Sequence, residues 1–155
     1  VAYMYYKKGD YDNAVKYFDE ALAKETDNDK KAEMAYATAA ALMQAKKLSQ
    51  ARSYCQKAMS FKENYGEPYI LLAQLYGSNP NWTDEPALNK CTYFVVIDKL
   101  QRAKAVDPSV TERAHELIST YSRHTPQAKD LFMLGYKAGD RITIGGWIGE
   151  STTIR

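Results

Sequence analysis

The chain has 155 residues, of which 45% are apolar and 26% are charged, and its net charge is +2. This composition is that of a globular protein and excludes an intrinsically disordered chain, and no apolar run approaches the ~20 residues that cross a bilayer. Basic and acidic side chains alternate along the predicted helix faces, so the sequence predicts a solvated surface and no nucleic-acid-binding stripe.

An alanine-centred pattern recurs along the chain at helical spacing. Its members are Ala2, Ala39 and Ala73, which lie 37 and 34 residues apart and each have a large residue three positions later. An imperfect fourth copy is Leu117-Ile118-x-x-Tyr121. A period of this size is typical of stacked helical hairpins, so the pattern predicts the first helix of each hairpin.

A second pattern follows the first and predicts the second helix of each hairpin. It has the form apolar, three others, apolar, two others, alanine, and it begins at Ala14 and Ala51, twelve residues after the first alanine in both units. In the third unit the matching run begins at Val96, which is 23 residues after Ala73. The difference predicts an insertion between the two helices, at about residues 77–88.

Several local signals predict where helices begin and end. The first alanine pattern starts at Val1 without a capping residue, so we expect the natural protein to extend further upstream. The remaining border signals are Asp27-Asn28, Gly66-Glu67-Pro68, a capping box at Ser109-x-x-Glu112, and Thr125-Pro126 opening a short helix at about 126–137 that ends at Gly139.

These repeats resemble the tetratricopeptide repeat over roughly residues 1–121. The resemblance is carried by the Gly9-Asp10-Tyr11 turn with Ala14 and Phe18 after it, and by the closing Asp107-Pro108 turn. The opening tryptophan of the family motif is absent, and its closing proline occurs once. The resemblance implies a mainly α fold, an α-α superhelix of about three to four stacked antiparallel helical hairpins, here assigned to residues 1–138.

Beyond Gly139 the pattern changes to strand-forming residues. Residues 141–148 and 152–155 predict a small C-terminal β-hairpin, with either Gly149-Glu150-Ser151 or Gly145-Gly146 as its turn. An isolated hairpin is marginally stable, so we expect residues 139–155 to cap the last helical pair or, alternatively, to contact a partner. The repeats and this tail together are similar to repeat proteins of Bacteroidetes-type bacteria.

The sequence predicts no catalytic residues, no cofactor and no metal site. His115 and His124 are nine residues apart, so they do not share the i, i+4 helix face that a metal site uses. Cys55 and Cys91 are too few for a disulfide framework, and we expect two free, mostly buried thiols. The glycines near the C-terminus are not followed by the helix and lysine of a phosphate-binding loop.

The resemblance implies a noncatalytic scaffold that binds a protein or peptide in a concave groove lined by the first helices. Family members that grip a partner's C-terminal carboxylate use lysines and asparagines there, which apart from Lys7 are missing here. We therefore expect an apolar peptide or a helix as the ligand. The groove candidates are Tyr3, Tyr6, Lys7, Tyr36, Ala40, Met43, Gln44, Ile70, Gln74, His115 and Ser119.

Alternatives to this reading remain open. Neighbouring helices or the protein's own tail could bury the groove residues, and Trp82 in the insertion could either bind a partner or cover its own loop. The chain could instead be a structural, self-associating component of a cell-envelope or secretion assembly, or a domain that positions an upstream enzyme. The bacterial cell envelope, the periplasm and the cytoplasm are all compatible with the sequence.

Overall fold

The computed structural model describes residues 9–155. The part of the repeat pattern at residues 1–8 lies outside the described residues. The helices are α1 Tyr11–Lys24, α2 Asn28–Gln44, α3 Leu48–Phe61, α4 Glu67–Ser78, α5 Pro86–Lys90, α6 Thr92–Val106, α7 Thr111–Ser122 and α8 Ala128–Met133, with a 3-10 turn at Pro108–Val110. The strands are β1 Arg141–Thr143 and β2 Ser151–Thr153.

Successive helices pack as hairpins that stack on one another. Helix α2 packs along α3 and α4 packs along α6, and each hairpin contacts the next through α3 with α4 and α6 with α7. The predicted stack of antiparallel helical hairpins with a small C-terminal hairpin is therefore confirmed. Helices α2, α4 and α7 are the first helices of their units, and α1, α3 and α6 are second helices.

Alanines lie where the helices approach most closely. The repeated alanines of α2 and α4, Ala39 and Ala73, are 0% exposed, as are Ala51 and Ala58 of α3 and Ala103 of α6. Two helices reach an axial separation of ~8–10 Å only if the side chains at the contact are small. The alanines that recur in the sequence therefore mark the positions where helices cross. The larger apolar side chains fill the space on either side of these crossings.

Asp107 joins the end of the α4–α6 hairpin to its start. Its carboxylate accepts hydrogen bonds from the backbone N–H of Gly66 at 2.9 Å and of Ser109 at 3.0 Å. A Cβ at position 66 would lie 2.7 Å from Val110 Cγ2, so only glycine allows this approach. The capping box predicted at Ser109 is wrong, because Ser109 bonds to Asp107 and α7 begins after Val110 without a side-chain cap.

The insertion between α4 and α6 is partly helical. Helix α4 continues to Ser78, residues 79–85 form a loop, and the short helix α5 leads directly into α6. Asn89 holds the loop, since its side-chain oxygen accepts from the N–H groups of Trp82 and Thr83, both at 2.9 Å. Its amide group donates to the Thr83 carbonyl at 2.8 Å.

Helix α8 is shorter than the predicted helix at 126–137. It ends in a Schellman turn, in which Tyr136 N–H donates to the Leu131 carbonyl at 2.9 Å and Gly135 N–H to that of Phe132 at 3.0 Å. Gly135 has the positive φ of 90° that this turn requires. The terminating glycine is therefore Gly135 and not Gly139, and Thr125 donates to the Ser122 carbonyl instead of capping the helix.

The C-terminal strands form an antiparallel pair in which Ile142 lies opposite Thr152. The predicted first strand, 141–148, is too long. Residues 144–150 form the connection, because Gly146 and Gly149 adopt positive φ values of 68° and 61° that end the extended conformation. The connection includes Gly145-Gly146 and Gly149-Glu150, whereas Ser151 already belongs to β2.

The hairpin and its connection pack on the second helices of the stack. Thr152 donates a hydrogen bond to Asp98 of α6 at 2.6 Å, and Arg155 pairs with the same carboxylate. Glu150 lies 2.5 Å from Lys99 of α6. The tail therefore packs on the second helix of the third unit, which is the last complete helical pair of the stack.

The connection also reaches the neighbouring unit and the insertion. The Trp147 carbonyl accepts from Arg52 of α3 at 2.5 Å, and the Trp147 ring meets that of Tyr76 edge to face at 5.3 Å between centroids. A Cβ at Gly145 would lie 2.7 Å from the Trp82 ring. Tail and insertion thus lie in direct contact over the second-helix side.

Enlarging one crossing alanine should overpack the stack. We expect Ala103→Leu in α6 to lower the free energy of unfolding by about 1–3 kcal/mol, because Ala103 is 0% exposed. Ala105→Leu, two residues along at an exposed position of the same helix, is the matched control and should stay within about 0.5 kcal/mol of the parent. Urea unfolding followed by circular dichroism measures both, and equal values for the two variants would contradict the assignment.

The contact between tail and insertion can be tested with a double-mutant cycle. Gly145→Ala should destabilise the protein by about 1–3 kcal/mol, since its new methyl group would overlap the Trp82 ring. In a Trp82→Ala background the same substitution should cost less, with a coupling of at least about 0.5 kcal/mol. Thermal or urea unfolding of the four proteins gives the coupling, and strict additivity would show that the two residues do not meet.

Candidate functional site

We use the name first-helix face for the side chains that the first helices were expected to present to a ligand. It is formed by the partly or fully exposed side chains of α2, α4 and α7 at the positions expected to line the groove: Tyr36, Ala40, Met43, Gln44, Gln74, His115 and Ser119. Tyr3, Tyr6 and Lys7, which were expected on the same face, lie outside the described residues. Ile70 is 3% exposed and lies in the core, so the expectation that it contacts a ligand is wrong. Its side chain is enclosed because α2 packs against α4.

A chain of polar contacts crosses three consecutive units on this side of the stack. The Tyr36 hydroxyl of α2 donates to Glu67 at the start of α4 at 3.4 Å, and Arg113 of α7 pairs with the same carboxylate. Burial, followed by the neighbouring Glu67 carboxylate, raises the pKa of Tyr36 above its usual value. The ring therefore stays neutral and is held in place while part of it remains in contact with solvent.

Aromatic and aliphatic groups surround this polar chain. Tyr36 meets Tyr65 edge to face at 5.8 Å between ring centroids. Tyr36, Ala40 and Met43 rest on the core with part of each side chain exposed. The face thus offers a flat apolar strip on α2, with more polar side chains, Gln74 and His115, on the two following first helices.

The tail is attached elsewhere. Its polar contacts go to Arg52 of α3 and to Asp98 and Lys99 of α6, and the Tyr76 hydroxyl at the end of α4 donates to Glu150 at 2.5 Å. None of these four residues belongs to the first-helix face. The described tail therefore covers the second-helix side and leaves Tyr36 and Met43 accessible.

Trp82, the candidate contact in the insertion, is used within the chain. Its ring packs on Gly145, and its indole N–H donates to the Leu88 carbonyl at 3.1 Å. This is the arrangement in which the tryptophan covers its own loop and the tail. A binding role for Trp82 stays a prediction, and it would require the ring to leave these contacts.

The two histidines lie in different environments. His115 is exposed on the first-helix face, and His124 packs on the ring of Tyr93 at 5.3 Å between centroids. Among the described residues, no group of three or more histidine, cysteine, aspartate and glutamate side chains is arranged to hold a metal ion. Within the same residues, no helix is long and apolar enough to span a membrane.

Both cysteines are free and 0% exposed, as predicted. Burial raises the pKa of the Cys55 thiol to about 12 and that of Cys91 to about 11. The thiolate is the nucleophilic form of cysteine, so at neutral pH both groups are protonated, enclosed and unreactive. They act as small core side chains.

The sequence reasoning missed an apolar surface at the end of α8. Phe132 is 75% exposed, Met133 84% and Leu134 38%. The signal in the sequence was the run of four apolar residues at 131–134, which no single face of a helix can bury. Only Leu131 of this run turns inward, and it is 1% exposed.

Comparison with known proteins identifies the repeat. The family model for the tetratricopeptide repeat matches residues 1–28. The fold is similar to that of the TPR2B domain of yeast Sti1, solved as a complex with pHsp70, with a TM-score of 0.58 and 23% identity over 79% of this chain and 90% of that one. Both comparisons point to the tetratricopeptide repeat, the first over 28 residues of sequence and the second at the level of the fold. A search of curated proteins found no match.

The tetratricopeptide-repeat fold supports a role as a protein–protein interaction scaffold. Domains of this type are generally noncatalytic interaction modules, in which stacked hairpins present an extended surface to a ligand. In this chain the insertion and the tail pack on the second-helix side, and the side chains of the first-helix face stay partly or fully exposed.

The raised pKa of the buried Cys55 thiol predicts how the free energy of unfolding depends on pH. A free thiol ionises near pH ~8.5, whereas Cys55 in the folded protein does so only near about 12. Above pH ~8.5 the unfolded chain loses a proton that the folded protein retains, so the free energy of unfolding should fall as the pH rises toward the folded pKa.

We expect Cys55→Ala to lose less stability than the parent between pH ~7.5 and ~9.5, since it lacks this thiol. Urea unfolding at the two pH values measures the difference. The comparison is between pH-dependent changes, so the constant cost of removing the sulfur cancels. The same fall in both proteins would show that Cys55 does not ionise in the unfolded state as argued.

Proposed function

We propose that the first-helix face binds an apolar peptide segment or the apolar side of a helix, and that this binding, without catalysis or a cofactor, is the function of the array. The observation that carries the proposal is the position of the tail. Because the tail packs on α3 and α6, the aromatic and aliphatic side chains of α2 stay partly exposed on the opposite side.

The chemistry of this face favours an apolar ligand. Tyr36 supplies a rigid, neutral ring and Met43 an adaptable thioether, both suited to contacts with apolar side chains. Gln74 and Ser119, which are partly and fully exposed, provide amide and hydroxyl groups that can form hydrogen bonds with a peptide backbone. The Arg113 cation beside this face is already paired with Glu67, so within the described residues it is not free for a ligand carboxylate.

The relative with a similar fold supports a peptide as the class of ligand. The Sti1 domain was solved as a complex with pHsp70. We propose a protein segment as the ligand of this chain as well, recognised by apolar contacts on α2 and not by a cluster of lysines.

Site-specific photo-crosslinking tests the proposal. A benzoylphenylalanine placed at Ser119, which is exposed on α7, should crosslink to a partner in an extract of the source organism. The same group at Gln101, exposed on the second helix α6, is the matched control and should not. The crosslink at position 119 should disappear in a Tyr36→Ala, Met43→Ala variant whose folding is verified by circular dichroism.

Crosslinks from Ser119 and from Gln101 distinguish the possible locations of the ligand. A crosslink from Ser119 that survives the double substitution would place the ligand away from the apolar strip of α2. A crosslink from Gln101 alone would move binding to the second-helix side and would refute the proposal.

A further inference from the structure

The end of α8 exposes the three consecutive apolar side chains of Phe132, Met133 and Leu134, which we call the α8 patch. Soluble proteins expose single apolar residues everywhere, but a contiguous apolar patch with polar surroundings marks an interaction site. The two outer-facing residues, at 75% and 84% exposure, contribute little to the stability of this chain alone.

Beside the α8 patch lies a hollow of about 450 Å³ with a firm floor. The floor is Leu131 and Ile154, which are 1% and 3% exposed, and Phe132 and Tyr136 form part of its walls. The Schellman turn fixes Tyr136 next to Leu131 through a backbone hydrogen bond of 2.9 Å. The hollow is therefore built by main-chain geometry and core packing and is present before any ligand arrives.

The rim of the hollow is basic. Lys129, Lys137 and Arg155 line it, and no aspartate or glutamate does. Arg155 pairs with Asp98, whereas neither lysine takes part in a salt bridge within the described part of the chain. An apolar floor beside two unpaired cations is complementary to an apolar side chain with carboxylates next to it.

The exposed edge of the hollow favours a protein segment over a small molecule as the ligand. A small-molecule pocket buries most of its ligand, but here Phe132 and Met133 stand in solvent at the edge of the hollow. A second hollow shares Met133 with the first. Its lining includes Pro86 and Ala87 together with the charged side chains of Glu85, Lys90 and Asp130. Only an extended ligand covers both hollows and the exposed side chains between them.

The positive charge around the hollow argues against a second copy of this chain as the ligand. A twofold contact through the same hollow would bring Lys129, Lys137 and Arg155 of one copy against the same three residues of the other. Like charges brought together in an interface oppose association.

We infer that the α8 patch and its basic hollow bind a segment of another protein in which a large aliphatic or aromatic side chain is followed or preceded by aspartate or glutamate within about one helical turn. The apolar side chain enters the hollow above Leu131 and Ile154, and the carboxylates pair with Lys129 and Lys137. This site lies at the end of the stack and is separate from the first-helix face, so it goes beyond the function proposed above.

Selection from a displayed library of random peptides of about twelve residues, or three helical turns, tests the inference. The whole chain is the bait, and a Phe132→Asp variant is used for counter-selection, which removes peptides that bind the first-helix face. We expect the enriched peptides to combine one large apolar residue with neighbouring aspartate or glutamate. Fluorescence anisotropy of a synthetic enriched peptide then measures affinity.

Variants of the bait identify the residues involved. Phe132→Asp should weaken binding on the order of 30-fold, since a buried aromatic anchor is lost. Lys129→Glu with Lys137→Glu should weaken it on the order of tenfold, less at high salt, and should bind a peptide whose acidic residues are replaced by lysine. Lys30→Glu, an exposed lysine on α2, is the charge control and should leave the affinity unchanged.

The outcomes are distinguishable from those of the first proposal. Tyr36→Ala with Met43→Ala should not affect this peptide, so each site can fail without the other. No enrichment, enrichment of peptides without acidic residues, or insensitivity to the paired lysine reversal would overturn the inference. Concentration-dependent sedimentation that Met133→Asp abolishes would assign the α8 patch to a second copy and would also overturn it.

Discussion

Close approach of helices at alanine is the constraint on which this structure depends. The crossing positions of α2, α3, α4 and α6 are occupied by alanines that are 0% exposed. Each removes side-chain volume at the point where two helix axes come nearest, and the larger neighbours interdigitate around it. The direction of the first helices, and with it the surface they present, follows from this spacing.

Polar contacts of two aspartates join parts of the chain that are far apart in the sequence. Asp107 holds the N-terminus of α4 against the turn that precedes α7, and it can do so because Gly66 has no side chain. Asp98 holds the tail on α6 through Thr152 and Arg155. Both carboxylates lie on or just after α6, so this helix connects the repeats, the insertion and the C-terminal hairpin.

The asymmetry of the molecule follows from where the tail and the insertion go. They contact each other at Gly145 and Trp82 and cover second helices, which leaves the first-helix face and the end of α8 as two surfaces of different chemistry. One is an apolar strip on α2 beside the paired charges of Glu67 and Arg113, and the other is an apolar hollow with a basic rim. The two proposals therefore assign two different protein segments to separate surfaces.

Local chemistry explains which details of the sequence reasoning failed. The capping box at Ser109 was a valid local pattern, but the carboxylate of Asp107 bonds to Ser109 instead. Gly139 was a plausible helix end, but the helix ends earlier because Gly135 has the positive φ that closes the turn. The strand at 141–148 was too long because two glycines in its connection favour left-handed conformations. At both helix ends more than one residue could have served as the cap or the terminating glycine, and a short-range sequence pattern does not show which of them is used.

The sequence by itself determined the helical hairpins, their order, the buried alanines and thiols, the insertion and the presence of a C-terminal hairpin. These features depend on periodicity and on the size of side chains, which are properties of the sequence alone. Only the tertiary structure decided that Ile70 is buried, that Trp82 is covered by the tail, that the tail lies on α6, and that Phe132 and Met133 face solvent. Those outcomes depend on which surfaces meet across the stack, and contacts between residues far apart in the chain leave no pattern in a single sequence.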